Sequence, residues 1–286
     1  MHKILTLIAQ FLPFLKLKSF YYRWMYQLMA QAYQQEREWI FMNYGYLPET
    51  PGHSLQLDPG DEINRPYIEL YQHLIQDMNL QGKRVLEVGC GRGGGSAFLQ
   101  KYHRPQEVVG LDVSPLAIDF CRIRHTLPGL SFVPGSAEAL PFPDQSFDVV
   151  LNVESCHCYD SQERFFREVK RVIAPKGIFL LADLRMNHEI SYLEEQITNS
   201  GLMIQKKEEL TCCVFRSLQQ TGAKKLELFS NYKPKGCLGL LARYFPQTFR
   251  QSFKSFAATE GSAIYAQFQQ RERSYLLYRL TSGSQK

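Results

Sequence analysis

The chain has 286 residues, of which 44% are apolar and 21% charged, and its formal net charge at pH 7 is +5. This length and apolar share can build a sizeable core, which excludes an intrinsically disordered chain. The charge is mildly basic without a dense block of lysine and arginine, so nucleic-acid binding is not indicated. The seven cysteines form no CxxC pair, so we expect reduced thiols in the cytoplasm and neither a zinc centre nor a disulfide framework.

Residues 1–65 are predicted to form a helical cap or lid that ends in an irregular stretch rich in proline and glycine. The apolar segment ILTLIAQFLPFL falls well below the ~20 residues that span a bilayer, and no small-residue cleavage site follows it. The aromatic residues and cations after it fit either a helix packed over the domain or a weak contact with a membrane surface.

From residue 66 onward, strand and helix patterns alternate. We predict strands at 84–88, 107–113, 130–135, 147–153 and 177–183, and helices at 66–78, 94–102, 115–125 and 161–173. This alternation predicts an α/β fold with a doubly wound parallel sheet, in which ligands bind at the carboxyl ends of the strands.

The pattern weakens after residue 185. A helix is predicted at 190–202, a basic and aromatic helical stretch at 230–256, and a final strand at 274–280. We therefore divide the chain into the N-terminal cap, a core over 66–210, and a C-terminal part over 211–286 whose cap helices precede a strand that completes the sheet.

The motif VLEVGCGRGGG, residues 85–95, ends a buried strand in a glycine-rich turn. Such a turn lets the backbone approach a ligand closely. The G-x-G-x-x-G pattern that starts at Gly89, with Asp112 about 20 residues later, fits a dinucleotide fingerprint, so a nicotinamide oxidoreductase is one interpretation. However, Glu87 would repel a pyrophosphate at this place and suits a ligand that carries an amine. The turn therefore favours a different adenosine-containing cofactor.

Four ordered motifs resemble the class I S-adenosylmethionine-dependent methyltransferases: VLEVGCGRGGG, VVGLDVS, GSAEALPFPDQSFDVVL and LLADLR. The resemblance implies a Rossmann-like methyltransferase sheet with helical caps and S-adenosylmethionine as the cofactor. It implies cofactor contacts at Glu87, Gly89, Cys90, Gly91, Asp112, Val113, Ser136, Ala137, Glu138 and Asn152. In this scheme Asp112 holds the ribose, and Ser136 departs from the family by replacing an acid that is often found near the adenine.

The segment NVESCHCYD follows the fourth predicted strand and places His157 at the same end of the sheet. A hydroxyl acceptor must lose a proton, and a histidine, with an ordinary pKa of about 6.5, is suited to remove it. Asp183 ends the next strand, so we expect its carboxylate to orient His157. A packing role for His157 stays open. Its flanking cysteines, Cys156 and Cys158, have the wrong spacing for a metal site, and no metal is expected.

NVESCHCY resembles small-molecule O-methyltransferases of natural-product pathways, including those of phthiocerol-type lipids and glycosylated metabolites. FMNYGY resembles that group's cap motif and implies that Tyr44, or the nearby Tyr46, reaches the cofactor; residues 256–280 resemble its C-terminal segment. The resemblance implies O-methylation of a hydrophobic polyketide, polyketide–peptide or lipid. The predicted acceptor-binding residues are Tyr22, Tyr26, Glu154 and Tyr159.

Other functions stay open on the sequence alone. The methylated atom could be carbon or nitrogen, on a quinone, a sterol-like ring or an alkaloid. The fold could also serve as a binding module without catalysis. The sequence specifies neither the acceptor nor whether the chain forms an oligomer.

Overall fold

The computed structural model describes residues 38–49, 55–230, 244, 254–255 and 257–283. The strands are β1 (Arg84–Val88), β2 (Glu107–Asp112), β3 (Leu130–Pro134), β4 (Phe147–Val153), β5 (Ile173–Met186), β6 (Met203–Glu209) and β7 (Arg273–Thr281). The helices are α1 (Arg65–Ile75), α2 (Gly94–Phe98), α3 (Pro115–Arg124), α4 (Gln162–Val172), α5 (Ile190–Asn199), α6 (Thr211–Ser230) and α7 (Ala263–Gln269). The predicted α/β fold with alternating elements is confirmed.

The seven strands form one sheet in the order β3-β2-β1-β4-β5-β7-β6. Neighbouring strands from β1 to β5 pair in parallel, whereas β7 is antiparallel to β5 and β6. The parallel arrangement predicted for the alternating part of the chain is confirmed for β1 to β5, and the terminal strand β7 joins the sheet in the antiparallel direction. Strand β7 begins beside the carboxyl end of β6, where Leu276 lies opposite Glu209. It therefore runs in the direction opposite to β6.

Strand β6 is not apparent in the sequence pattern. Its sequence, MIQKKEE, is mostly polar, and nearly all of its side chains are exposed at the edge of the sheet. Because neither face is consistently apolar, the strand lacks the alternation by which buried strands are recognised. Lysine and glutamate at an exposed edge also hinder pairing with another chain.

Serine side chains cap two core helices at their N-terminal ends. Ser114 precedes α3 and its hydroxyl accepts a hydrogen bond from the Ala117 N–H at 3.3 Å, with Pro115 in the first helical position. Ser161 caps α4 in the same way through the Arg164 N–H at 3.2 Å. These caps satisfy backbone donors at the helix starts.

Hydrophobic clusters cover both faces of the sheet. Consecutive residues of β1 belong to different clusters: Val85 packs with Leu70 of α1, and Leu86 packs with Phe165 of α4. This alternation follows from the strand geometry, in which successive side chains point to opposite faces. The strand order reverses between β1 and β4, which opens a crevice at their carboxyl ends, where ligands bind in such sheets.

Some predicted features lie outside the described residues. These are residues 1–37, with Tyr22, Tyr26 and the apolar N-terminal segment, and most of 230–256. The proposed divisions at residues 65 and 210 stay predictions. In the part of the chain that the structure describes, no helix combines the length and the apolar character needed to cross a bilayer.

Candidate active site

The glycine turn follows β1 at the crevice. Gly89 and Gly91 have φ angles of +78° and +55°, which side chains rarely adopt. The N–H groups of Gly89 and Cys90 donate to the Leu111 carbonyl of β2 at 2.7 and 3.0 Å. A Cβ atom at Gly89 would lie 2.2 Å from the Ser155 hydroxyl oxygen. The turn therefore depends on glycine for both its backbone conformation and its close approach to the loop after β4.

Asp112 ends β2 beside this turn. One carboxylate oxygen accepts from the Gly91 N–H and the other from the Ser114 N–H, both at 2.9 Å. Burial raises the pKa of Asp112 to about 6, although these backbone hydrogen bonds favour the carboxylate. Val113 is apolar yet 43% exposed. An acidic acceptor and an exposed apolar side chain thus lie next to each other at the end of β2.

Glu87 lies inside the protein and is 1% exposed. Its carboxylate accepts from the Tyr71 hydroxyl of α1 at 2.6 Å and from the Ser96 hydroxyl of α2. Burial raises the pKa of Glu87 to about 7, against these two hydrogen bonds. Glu87 therefore ties the glycine turn to two helices, with partners that the sequence analysis missed. The helical spacing of Tyr71 was the only available signal.

The loop after β3 holds three predicted cofactor residues. The Ser136 hydroxyl accepts from the Glu138 N–H at 3.2 Å, and Ala137 is buried in the core. One oxygen of Glu138 accepts from the N–H groups of Asp160 and the residue after it, and the other pairs with Arg164 at 2.7 Å. The Glu138 carboxylate therefore links this loop to the start of α4.

Asn152, near the end of β4, is fully buried. Its Nδ2 lies 2.8 Å from the Val88 carbonyl, 2.7 Å from the Ser155 hydroxyl and 2.9 Å from the Tyr159 hydroxyl. Its Oδ1 accepts from the Cys156 N–H at 3.1 Å. Burial raises the pKa of Tyr159 well above its usual value, so this hydroxyl stays protonated. The network fixes the loop after β4 against the glycine turn.

His157 and Asp183 meet at the carboxyl ends of β4 and β5. His157 Nδ1 lies 2.7 Å from one Asp183 oxygen, and the His157 backbone N–H donates to the other at 2.9 Å. The His157 side chain is 26% exposed, whereas Asp183 is 2% exposed. When Nδ1–H donates to Asp183, Nε2 carries the lone pair of the neutral ring. In this tautomer Nε2 is the ring atom that can accept a proton.

A buried arginine completes this group. Arg185 lies 2.9 Å from Asp183, and both side chains are almost fully buried. Burial favours the neutral acid, but Arg185 and His157 hold the pKa of Asp183 well below its usual range. Burial also disfavours the imidazolium, but Cys158 and Asp183 outweigh it and raise the pKa of His157 to about 10. Sequence analysis missed Arg185, although the motif LLADLR contains it.

The N-terminal segment 38–49 packs over the site. The Tyr44 N–H donates to Glu154 Oε1 at 2.8 Å, and the Tyr275 hydroxyl donates to the same oxygen at 2.9 Å. Burial raises the pKa of Glu154 to about 7, although these hydrogen bonds and the charge of Lys225 oppose it. The structure thus places two predicted residues, Tyr44 and Glu154, in contact with each other. It adds Tyr275 and Lys225, whose sequence context gave no signal.

The predicted residues on or just after β1, β2, β4 and β5 meet at the carboxyl ends of these strands, and Tyr44 joins them from the segment 38–49. Ser136, Ala137 and Glu138 lie in the loop after β3. Tyr22 and Tyr26 lie outside the described residues, and Glu138 points toward α4. The acceptor-binding roles of Glu154 and Tyr159 stay predictions, since their observed contacts are to other groups of the protein. Within the described ranges, no cluster of histidine, cysteine, aspartate and glutamate could hold a metal ion.

Comparisons with known proteins identify the family. A family model described as "Methyltransferase domain" matches residues 86–181, from β1 to β5. The phthiotriol/phenolphthiotriol dimycocerosates methyltransferase of Mycobacterium tuberculosis (strain H37Ra) is 37% identical over 260 residues, which cover 91% of each chain. The fatty-acid O-methyltransferase of Mycolicibacterium smegmatis is 42% identical over 181 residues, covering 63% of this chain and 66% of that one.

A solved structure supports the fold. The cyclopropane synthase MmaA2 of Mycobacterium tuberculosis superposes with a TM-score of 0.64 at 14% identity, over 88% of this chain and 96% of that one. The sequence relationship to the phthiotriol enzyme extends well beyond the matched domain, over nine-tenths of both chains. The chain therefore belongs to the class I S-adenosylmethionine-dependent methyltransferases, and S-adenosylmethionine is its cofactor.

Proposed function

We propose that this enzyme methylates a hydroxyl oxygen of a hydrophobic acceptor of the lipid or polyketide type, with His157 as the general base. The observation that carries the proposal is the 2.7 Å contact between His157 and Asp183 at the crevice. Attack by a hydroxyl requires loss of its proton, which a positioned imidazole accelerates. The names of the phthiotriol and fatty-acid enzymes support a lipid as the class of acceptor.

In this proposal the glycine turn and the end of β2 hold the cofactor. Gly89 and Gly91 give the turn its shape at the methionine end, Asp112 accepts from the ribose hydroxyls, and Val113 covers the adenine. Glu87 supports the turn by hydrogen bonds that connect β1 to α1 and α2. When bound, S-adenosylmethionine supplies a methyl group already activated for displacement, so much of the remaining catalysis is alignment.

His157 and Asp183 handle the proton together. His157 Nε2 takes the proton of the acceptor hydroxyl. Asp183 keeps its hydrogen bond from Nδ1–H and stabilises the imidazolium that forms. Arg185 keeps Asp183 ionised throughout, because the two buried side chains form an ion pair. The fixed tautomer is what directs Nε2, rather than Nδ1, toward the acceptor.

A labelling experiment tests the acceptor atom. The protein is incubated with methyl-labelled S-adenosylmethionine and a panel of long-chain alcohols, phenols, fatty acids, amines and quinones, and the label is located by mass spectrometry and NMR. Label on an alcohol or phenol oxygen is expected. Label on carbon or nitrogen would overturn the proposal. Label only on fatty-acid carboxylates would indicate ester formation, for which no base is needed.

The pH profile follows from the raised pKa of His157. The base must be neutral, so with an alcohol acceptor kcat/KM should rise with pH and level off only near the pKa, about 10. Asp183→Asn removes a charge that favours the imidazolium, so the rising limb should move toward lower pH while the maximum rate falls. Rates measured from pH 6 upward on both forms check this. A flat profile with an alcohol would contradict the role of His157.

The cofactor turn is tested by Gly89→Ala, with Gly82→Ala as its matched control. Both glycines have positive φ angles, but only at Gly89 would a Cβ meet other atoms, whereas at Gly82 nothing lies within 4 Å. Gly89→Ala should weaken S-adenosylhomocysteine binding about tenfold or more, since forced overpacking costs ~1–3 kcal/mol. Gly82→Ala should leave binding unchanged. Titration calorimetry measures both, and equal affinities would remove this turn from the cofactor site.

A further inference from the structure

Lys225 is a buried cation on α6 that lies against the segment 38–49. It is 8% exposed, and its ammonium group donates to the Asn43 carbonyl at 3.0 Å. The rings of Tyr67 and Tyr44 lie 4.7 and 5.6 Å from the ammonium nitrogen. Burial lowers the pKa of Lys225 to about 8, and the charge of Glu154 opposes that shift. A lysine is rarely buried unless something compensates its charge.

Glu154 binds the other end of the same peptide group. The carbonyl that Lys225 contacts and the N–H that Glu154 accepts both belong to the peptide bond between Asn43 and Tyr44. A cation at the carbonyl oxygen and an anion at the N–H each match the sign of the peptide dipole. Among the described residues, the ammonium and the carboxylate form no direct ion pair. Both contact this peptide group, and their opposite charges also attract each other through space.

The backbone at Glu154 is constrained to direct this contact. Its φ angle is +50°, in the left-handed region that non-glycine residues seldom occupy. Its own N–H donates to the Ala182 carbonyl of β5 at 2.8 Å, and its carboxylate also accepts from Tyr275 of β7. Such strained residues persist only where the surrounding structure holds them, and they are concentrated at functional sites.

The segment 38–49 packs directly against the glycine turn. The Ile40 carbonyl accepts from the Gly94 N–H at 3.1 Å. Met42 Sδ lies 2.8 Å from the position that a Cβ at Gly91 would take. On the other side, the Ser217 hydroxyl of α6 donates to a carbonyl of the segment at 2.9 Å. The segment therefore bridges the cofactor turn and α6.

We propose that Lys225 and Glu154 are a pair of positioning residues that clamp the Asn43–Tyr44 peptide and thereby hold the segment 38–49 against the cofactor turn. The clamp rests on the cofactor of the proposed function and depends neither on the acceptor nor on His157. The sequence predicts that Glu154 contacts the acceptor, whereas in this proposal Glu154 binds the segment 38–49 of the protein itself. Loss of one charge leaves the other beside the peptide without a compensating charge, so loss of both should cost less than the sum of the single losses.

The test compares Lys225→Met, Glu154→Gln and the double variant, with Lys224→Met as control because Lys224 is an exposed neighbour on the same helix. Calorimetry gives the affinity for S-adenosylhomocysteine, and hydrogen exchange gives the protection of the Tyr44 amide. Each single variant should bind about tenfold more weakly, a typical coupling between linked sites, and should exchange the Tyr44 amide faster. The double variant should lose less binding free energy for S-adenosylhomocysteine than the two single variants lose in total.

Two results would overturn the clamp. One is wild-type affinity in both single variants; the other is an unchanged exchange rate at Tyr44. Lys225→Arg keeps the positive charge and should restore the affinity for S-adenosylhomocysteine. Glu154→Gln keeps the shape of the side chain, so it still tests the clamp if Lys225→Met does not fold. The clamp and the proposed function can fail independently. If the labelling experiment placed the methyl group on carbon, the proposed function would fail, but the binding results for these variants would not change.

Discussion

His157→Gln should lower kcat with an alcohol acceptor by about 10²–10⁴-fold, the usual contribution of a positioned general base. Glutamine can still bond to the Asp183 carboxylate, so the loop after β4 should keep its position. Its side-chain amide is not a base, so the acceptor hydroxyl would have to lose its proton to water. The comparison is made near pH 10, where the His157 of the wild-type protein becomes neutral. Because His157 does not contribute to the proposed cofactor contacts, the affinity for S-adenosylhomocysteine should stay unchanged.

The control for this variant is His188→Gln, at an exposed histidine outside the crevice, which should retain the wild-type rate. Single-turnover rates with labelled cofactor separate methyl transfer from product release. An unchanged rate with an alcohol would show that His157 is not the base. A normal rate with fatty acids together with a large loss with alcohols would support the role, since a carboxylate carries no proton to remove.

Arg185→Met should destabilise the protein by about 3–5 kcal/mol, the usual cost of removing one partner of a buried ion pair. Asp183 and Arg185 are 2% and 3% exposed, so neither can regain water when the other is lost. His157 would compensate part of the charge through its contact with Asp183. The free energy of unfolding from urea titration measures the effect.

Arg167→Met provides the comparison, because Arg167 pairs with Glu163 on the exposed face of α4. This pair is largely solvated, so its loss should cost less than about 1 kcal/mol. The variant Asp183→Asn with Arg185→Met removes both buried charges and should be less destabilised than the sum of the single changes. Equal losses for Arg185→Met and Arg167→Met would mean that the buried pair contributes no more than a surface pair.

The sequence alone determined the elements with strong local patterns. The buried strands β1, β2 and β4 follow from apolar runs, and the start of α3 follows from Ser114 and Pro115, which are neighbours in the chain. The pairing of His157 with Asp183 was also predictable. His157 follows β4 and Asp183 lies near the end of β5, and the carboxyl ends of parallel neighbours meet at one edge of the sheet.

Only the tertiary structure decided which groups surround these residues. The direction of β7, the edge strand β6, and the partners of Glu87 and Asp183 depend on contacts between distant parts of the chain. The contact of Lys225 with the Asn43 carbonyl spans 182 positions. Local periodicity reports which face of an element is buried, but not which element covers it, because that choice is made by packing between elements after they form.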